Sequence, residues 1–397
     1  MKSERNRTIT IKAALDPALG VSGRFRFTLF DVSREPGYAM NAGSDTDLDL
    51  RMAAAQPQPM QAPVQQSDGY SVETAGASAH ASVTIEATDA GAWGHLKAEV
   101  NVDGEWYPLR ATSGADAITL PLDENGNRIW DRWERNSGIW GQAASADEDA
   151  TPEGANTGDG FSNFEEYRGF VVHGEWLSTM PSDKNLFVYD GTALGIGHFG
   201  ASGIGTYSIE QNEYDRSRVV NFNRGHATRG PQKGIYIEDK NLDDGALGEV
   251  WPTATTPNRV THLYIDTAKL RLESEGATPS VLAHELGHAV AVPHHGPDPK
   301  EGSCHDGPTG KIAAWGGAYS GDHACIMAYT RPLYYKSWDG RCYDYNFSWP
   351  TPWGSAFCAS RAGTGINGGE HRVDHGHALP MSGDATTGAC LTRLRLK

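Results

Sequence analysis

The chain has 397 residues, a formal net charge of −16 at pH 7 and 21% charged residues. That length accommodates two or three domains with sizeable cores, and no apolar run approaches the roughly 20 residues that span a bilayer. The acidic balance argues against a nucleic-acid partner, which demands basic patches, and suits a protein that collects calcium.

Residues 1–118 read as a β-sandwich domain of immunoglobulin-like type. Met1–Arg7 has no apolar signal core and runs into Thr8–Lys12, a strand. Val21–Phe30, Ala81–Ala87 and Leu96–Val102 alternate in the manner of half-buried strands. Asp103-Gly104 is a hairpin turn leading back into Glu105–Leu109. Short strands with polar turns suggest the sandwich. Ala53–Gln66, rich in Ala, Gln and Pro, reads as a mobile loop. No catalytic constellation appears here.

Residues 119–170 read as a calcium-binding segment. In the twelve residues Asp123–Glu134, oxygen side chains occupy positions one, three, five, nine and twelve: Asp123, Asn125, Asn127, Asp131 and Glu134. A hard cation wants such a ring of oxygens, and the Ile129 carbonyl falls at position seven. Arg128 stands where EF-hands have glycine. The loop therefore looks more like those of dockerin and thrombospondin type 3 repeats. The stretch Gly158–Tyr167 resembles the second half of such a repeat, which implies Asp159, Asn163 and Glu166 as ligands, with Asp147 or Asp149 in place of the non-liganding Ala155. Calcium here would stiffen the junction between two domains.

Residues 171–397 form the remaining domain. Asn185–Tyr189, Tyr207–Glu210, Gly234–Glu238, Ala246–Trp251 and His262–Asp266 read as strands. A helix follows, with Thr278 as N-cap and Pro279 in the first helical position, and no breaker until Pro293. Residues four apart share a helical face, so His284 and His288 can present two imidazoles to one ion. Glu285 stands beside the first of them. This is the H-E-x-x-H arrangement of zinc peptidases.

His294 lies ten residues after His284 (294 − 284 = 10), and Cys325-Ile326-Met327-Ala328-Tyr329 follows further along. On these residues the chain resembles the metzincin clan of zinc endopeptidases, defined by a third histidine at this spacing and a methionine-containing turn. The motifs cover about fifty residues directly. The resemblance implies an α+β catalytic domain, a twisted mixed sheet with a zinc-binding helix. It implies His284, His288 and His294 as zinc ligands, Glu285 as general base and Met327 as the hydrophobic floor beneath the metal. It also implies that Tyr329 reaches the zinc or the oxyanion. By order along the chain, residues 246–250 take the place of the antiparallel edge strand that holds an extended peptide. Residues Ala328–Tyr335 should wall the pocket for the side chain after the cut bond.

One departure concerns the turn between the second and third histidines. The family's glycine is Ala291 here, so the turn is made either there or later, at Val292-Pro293. His295 is a neighbour with the same chemistry, and spacing favours His294. All five cysteines, Cys304, Cys325, Cys342, Cys358 and Cys390, follow the zinc helix. Connectivity stays open; Cys304–Cys325 and Cys342–Cys358 with Cys390 odd is the favoured pairing, and reduced thiols are the alternative. Val373–His377 reads as structural or surface polar groups.

The function expected is an exported, calcium-braced zinc endopeptidase acting on protein or peptide substrates. The alternative is a calcium-dependent adhesion or binding protein with a silent zinc domain.

Overall fold

The alternation read from the first hundred residues becomes two antiparallel sheets with a shared interior. Among the residues that the computed structural model describes (7–147, 158–214, 234–243, 246–251, 260–273, 276–290, 292, 326–327, 333–336, 342–345, 357 and 394), the first nine strands run in this order. They are β1 (Thr8–Ala14), β2 (Arg24–Phe30), β3 (Leu50–Met52), β4 (Val64–Gln65), β5 (Tyr70–Glu73), β6 (His80–Ala87), β7 (Gly94–Val102), β8 (Glu105–Leu109) and β9 (Ile118–Leu120). One sheet has the order β1-β6-β3. The other runs β4-β5-β2-β7-β8, with β9 also pairing with β7. Phe25, Phe27 and Leu29 of β2 are buried in one cluster with Leu50 and Met52 of β3 and Val83 and Ile85 of β6. Apolar burial of about 1.5–3 kcal/mol for each such side chain fixes the register, because a slip of one residue would turn the whole set outward.

Residues 53–66, expected to be a mobile loop, are held to both sheets: 53–58 follow β6 beyond the end of β3, and β4 pairs with β5. The Gln56 amide accepts from the Thr84 N–H at 2.9 Å and donates to the Thr84 carbonyl at 2.9 Å, and Gln58 accepts from the Ser82 N–H. Glutamine side chains here copy a strand's hydrogen bonds and cover an edge that would otherwise template aggregation.

The chain divides into two compact units, Met1–Ala146 with Phe161–Pro181, and Asp147–Gly160 with Ser182–Lys397. The first also holds α1 (Asp131–Ser137), α2 (Asn163–Arg168) and the hairpin of β10 (Phe170–Val172) and β11 (Glu175–Leu177). Ser162 and Glu165 cap α2 reciprocally. At its end Arg168, 1% exposed, donates to the carbonyls of Pro36, Gly37 and Ala90. Asp49 and Asp89 lie in its field, and burial together with Asp49 pushes the Asp89 carboxyl up to about 7.

The second unit is built on a five-stranded sheet of β12 (Asn185–Asp190), β13 (Gly205–Ile209), β14 (Gly234–Asp239), β15 (Gly248–Trp251) and β16 (His262–Ile265), in the order β13-β12-β14-β16-β15. Four strands are parallel; β15, at the edge, runs antiparallel to β16 with Val250 opposite Leu263. After α3 (Thr267–Leu270), capped by Asp266, comes α4 (Ala277–Ala289). Leu282 and Leu286 are fully buried with Val188, Ile237 and Leu263 of the sheet. Each contributes about 1.5–3 kcal/mol, which outweighs the loss of about 1 kcal/mol for Gly287 in a helix interior. The antiparallel pair β17 (Leu333–Lys336) and β18 (Cys342–Tyr345) closes the described part. The chain is thus a mixed α and β protein rich in sheet, and no described helix is long and apolar enough to cross a membrane.

The zinc-motif helix starts earlier than its sequence suggests. Gly276, at φ 93°, caps it, so Thr278 is inside and Pro279 is the third helical residue. A first-turn proline costs little, since its missing N–H has no partner within the helix.

Candidate metal centre

Both motif histidines stand on α4 and both are oriented through Nδ1. His284 Nδ1 lies 2.7 Å from the Ile326 carbonyl, and His288 Nδ1 lies 2.8 Å from the Val292 carbonyl. A carbonyl only accepts, so a proton on each Nδ1 is the tautomer in which each Nε2 can serve as a ligand nitrogen. The two Nε2 atoms face each other at 3.1 Å, with the rings edge to face. Burial pushes the His284 pKa down, opposed by the smaller effect of its bond to Ile326. Zinc–nitrogen bonds of about 2.0–2.1 Å at a tetrahedral angle put two ligand nitrogens roughly 3.3 Å apart, so the observed spacing fits the ion. Nδ1–H donated to a backbone carbonyl is also the usual orienting contact of a metal-binding histidine.

The two carbonyls come from two segments singled out in the sequence. Ile326 belongs to the methionine turn. Its neighbour Met327 is fully buried against α4, where a Cβ on Gly287 would stand 2.5 Å from the Met327 sulfur and 3.0 Å from Phe357. The helix therefore carries glycine where the methionine approaches. Val292 belongs to the turn after the helix. Its N–H donates to the Gly287 carbonyl at 2.9 Å. Ala291, His294, His295 and Tyr329 lie outside the described residues, as do Cys304, Cys325, Cys358 and Cys390.

Glu285 is 7% exposed. Its side chain lies against β15: a Cβ on Gly248 would meet its Cγ at 2.5 Å, its Cδ at 2.8 Å and its Oε1 at 2.8 Å. Burial, and after it the charge of Glu249, pushes the Glu285 carboxyl up to about 8. Neither Gly248 nor the two orienting carbonyls were found from the sequence. A backbone acceptor carries no residue signature, whereas a glycine inside an otherwise good strand can mark a close approach.

The first acidic loop brings its named residues together. Asp123 accepts from the N–H groups of Gly126, Asn127 and Arg128, and Asp131 accepts from Glu124. Glu134, fully buried, accepts from the side-chain amides of Asn125 and Asn127. Its carboxyl is pushed up, chiefly by burial. The Asp131 Oδ2 atom is buried without a hydrogen bond, 3.8 Å from Arg135 Nη2. In the second loop, Asp147 accepts from the N–H groups of Asp159 and Gly160, and Asp159 accepts from the Asn185 N–H at 2.6 Å. Asn163 donates to Gln142 and Ala143, and Glu166 is fully buried in α2. Asp159 falls in the second unit, Asn163 and Glu166 in the first.

Among the described residues, no three His, Cys, Asp or Glu side chains are grouped so as to hold a metal ion. The pair on α4 contributes two of an expected three histidines. In the first loop the side-chain amides of Asn125 and Asn127 turn their N–H groups to Glu134; a half-turn of each would present oxygen instead. No family model matches the chain, and no curated protein or solved structure is detectably similar to it.

Proposed function

We propose that the chain is a zinc-dependent endopeptidase of metzincin type, exported from the cell and preceded by an immunoglobulin-like sandwich. The observation that carries this reading is the pair of imidazoles on one face of α4, their Nε2 atoms 3.1 Å apart and each Nδ1 against a backbone carbonyl. His284 and His288 would hold zinc together with His294. When bound, zinc supplies a lowered water pKa and polarises the carbonyl to be cut. Glu285 accepts the proton that water releases as its oxygen bonds to the carbonyl carbon. It then gives that proton to the departing amine nitrogen as the carbon–nitrogen bond breaks. Met327 packs under the helix, and Tyr329 serves the developing oxyanion.

β15 supports the peptide-holding role. It is an antiparallel edge strand among the described residues and lies next to Glu285, and its outer side can take an extended peptide as an added strand. Hydrolysis is the test: the zinc-loaded chain should cut casein or members of a mixed-peptide panel. A zinc-loaded chain that leaves all of them whole would favour a binding protein with a silent metal domain.

The first acidic loop we assign to calcium, held by Asp123, Asn125, Asn127, Asp131 and Glu134. The buried, unbonded Asp131 Oδ2 is the supporting observation. An ion at a hundred times its Kd stabilises by about 2.7 kcal/mol, or about 5–10 °C for a unit of this size. A chelator that takes calcium and spares zinc should lower the melting temperature by that amount; an unchanged transition removes calcium from the account.

A further inference from the structure

We propose that Gly248 is a positioning residue for Glu285: its missing side chain forms the slot that holds the carboxyl against the edge strand. This rests on Glu285 acting as the base.

A strand gains nothing from glycine, which has more backbone entropy to lose and no side chain to pack. Gly248 lies within β15, paired with Ile265 of β16, and its φ is outside the left-handed region. Alanine would meet no backbone strain at this position. What glycine supplies is space. Cγ, Cδ and Oε1 of Glu285 would all stand within 2.8 Å of a Cβ on residue 248, distances that bonded geometry cannot relieve without moving the carboxyl. Val250, two residues on and on the same face of the strand, is buried in the core, so β15 cannot retreat from α4 to make room. Glu285 is held on its own side by the buried helix face that carries Leu282 and Leu286. The side chain of Glu285 is therefore the part that must give.

The proposal separates binding from chemistry. Gly248→Ala should leave zinc content close to wild type and lower kcat on the order of 10²-fold, the size of effect expected from misplacing a reacting group by about 1 Å, with KM changing less than kcat. Thermal melting of the pair of variants gives a second readout. Gly248→Ala should lower the melting temperature in the wild-type background and have no effect in a Glu285→Ala background, where Cγ is gone. An alanine variant that folds only together with Glu285→Ala supports the slot equally. A kcat within twofold of wild type overturns the proposal. So does a Gly248→Ala melting shift that persists without the Glu285 side chain, or a Gly248→Ala chain that fails to fold in either background. A wild-type chain that cuts no peptide would instead count against the peptidase reading itself.

Discussion

Glu285→Gln is expected to lower kcat/KM by a factor on the order of 10²–10⁴, the usual contribution of a general base, with zinc content unchanged. Glutamine keeps the length and shape that fit beside Gly248 but cannot accept the proton of water. The imidazoles are positioned from elsewhere, by the Ile326 and Val292 carbonyls, so the metal should stay. A glutamine variant that hydrolyses peptides at the wild-type rate would leave the reaction to another base. One that loses its zinc would show that Glu285 holds the metal site together.

The second large effect concerns the third ligand. His294→Ala should yield a chain without bound zinc and with activity reduced at least as far as in the glutamine variant, whereas His295→Ala should keep both. Two histidines leave zinc with half of its usual coordination. Spacing along the sequence favours His294 over His295. Metal analysis of the two variants decides the matter. Zinc retained in His294→Ala and lost in His295→Ala would move the ligand by one residue.

Much of the candidate site was legible because it is written in side chains. The spacing of His284 and His288 needs only a helix to bring them together, and α4 provides it. The place of residues 246–250 as an antiparallel edge strand came from resemblance and chain order, and β15 occupies an antiparallel edge. The oxygen pattern of Asp123–Glu134 likewise folds into one loop. What remained hidden is carried by the backbone. The start of α4 was misplaced by two residues because Gly276 caps it through a left-handed φ rather than through a side chain. The carbonyls that fix both imidazole tautomers could belong to any residue. Gln56 and Gln58 looked like loop composition, yet their amides complete the edge of β6. Arg168 gave no sign in the sequence that it would be buried among three carbonyls, since its partners lie some 80 to 130 residues earlier and tertiary packing alone brings them together.

The most direct measurement is peptide cleavage followed through removal and return of the metal. The zinc-loaded chain is first profiled on a peptide library, then stripped with a zinc-selective chelator, freed of the chelator, and given one equivalent of zinc. The account predicts cleavage that disappears on stripping and returns with stoichiometric zinc. Cleavage that survives complete loss of zinc, or a zinc-loaded chain that cuts nothing in the library, would contradict it.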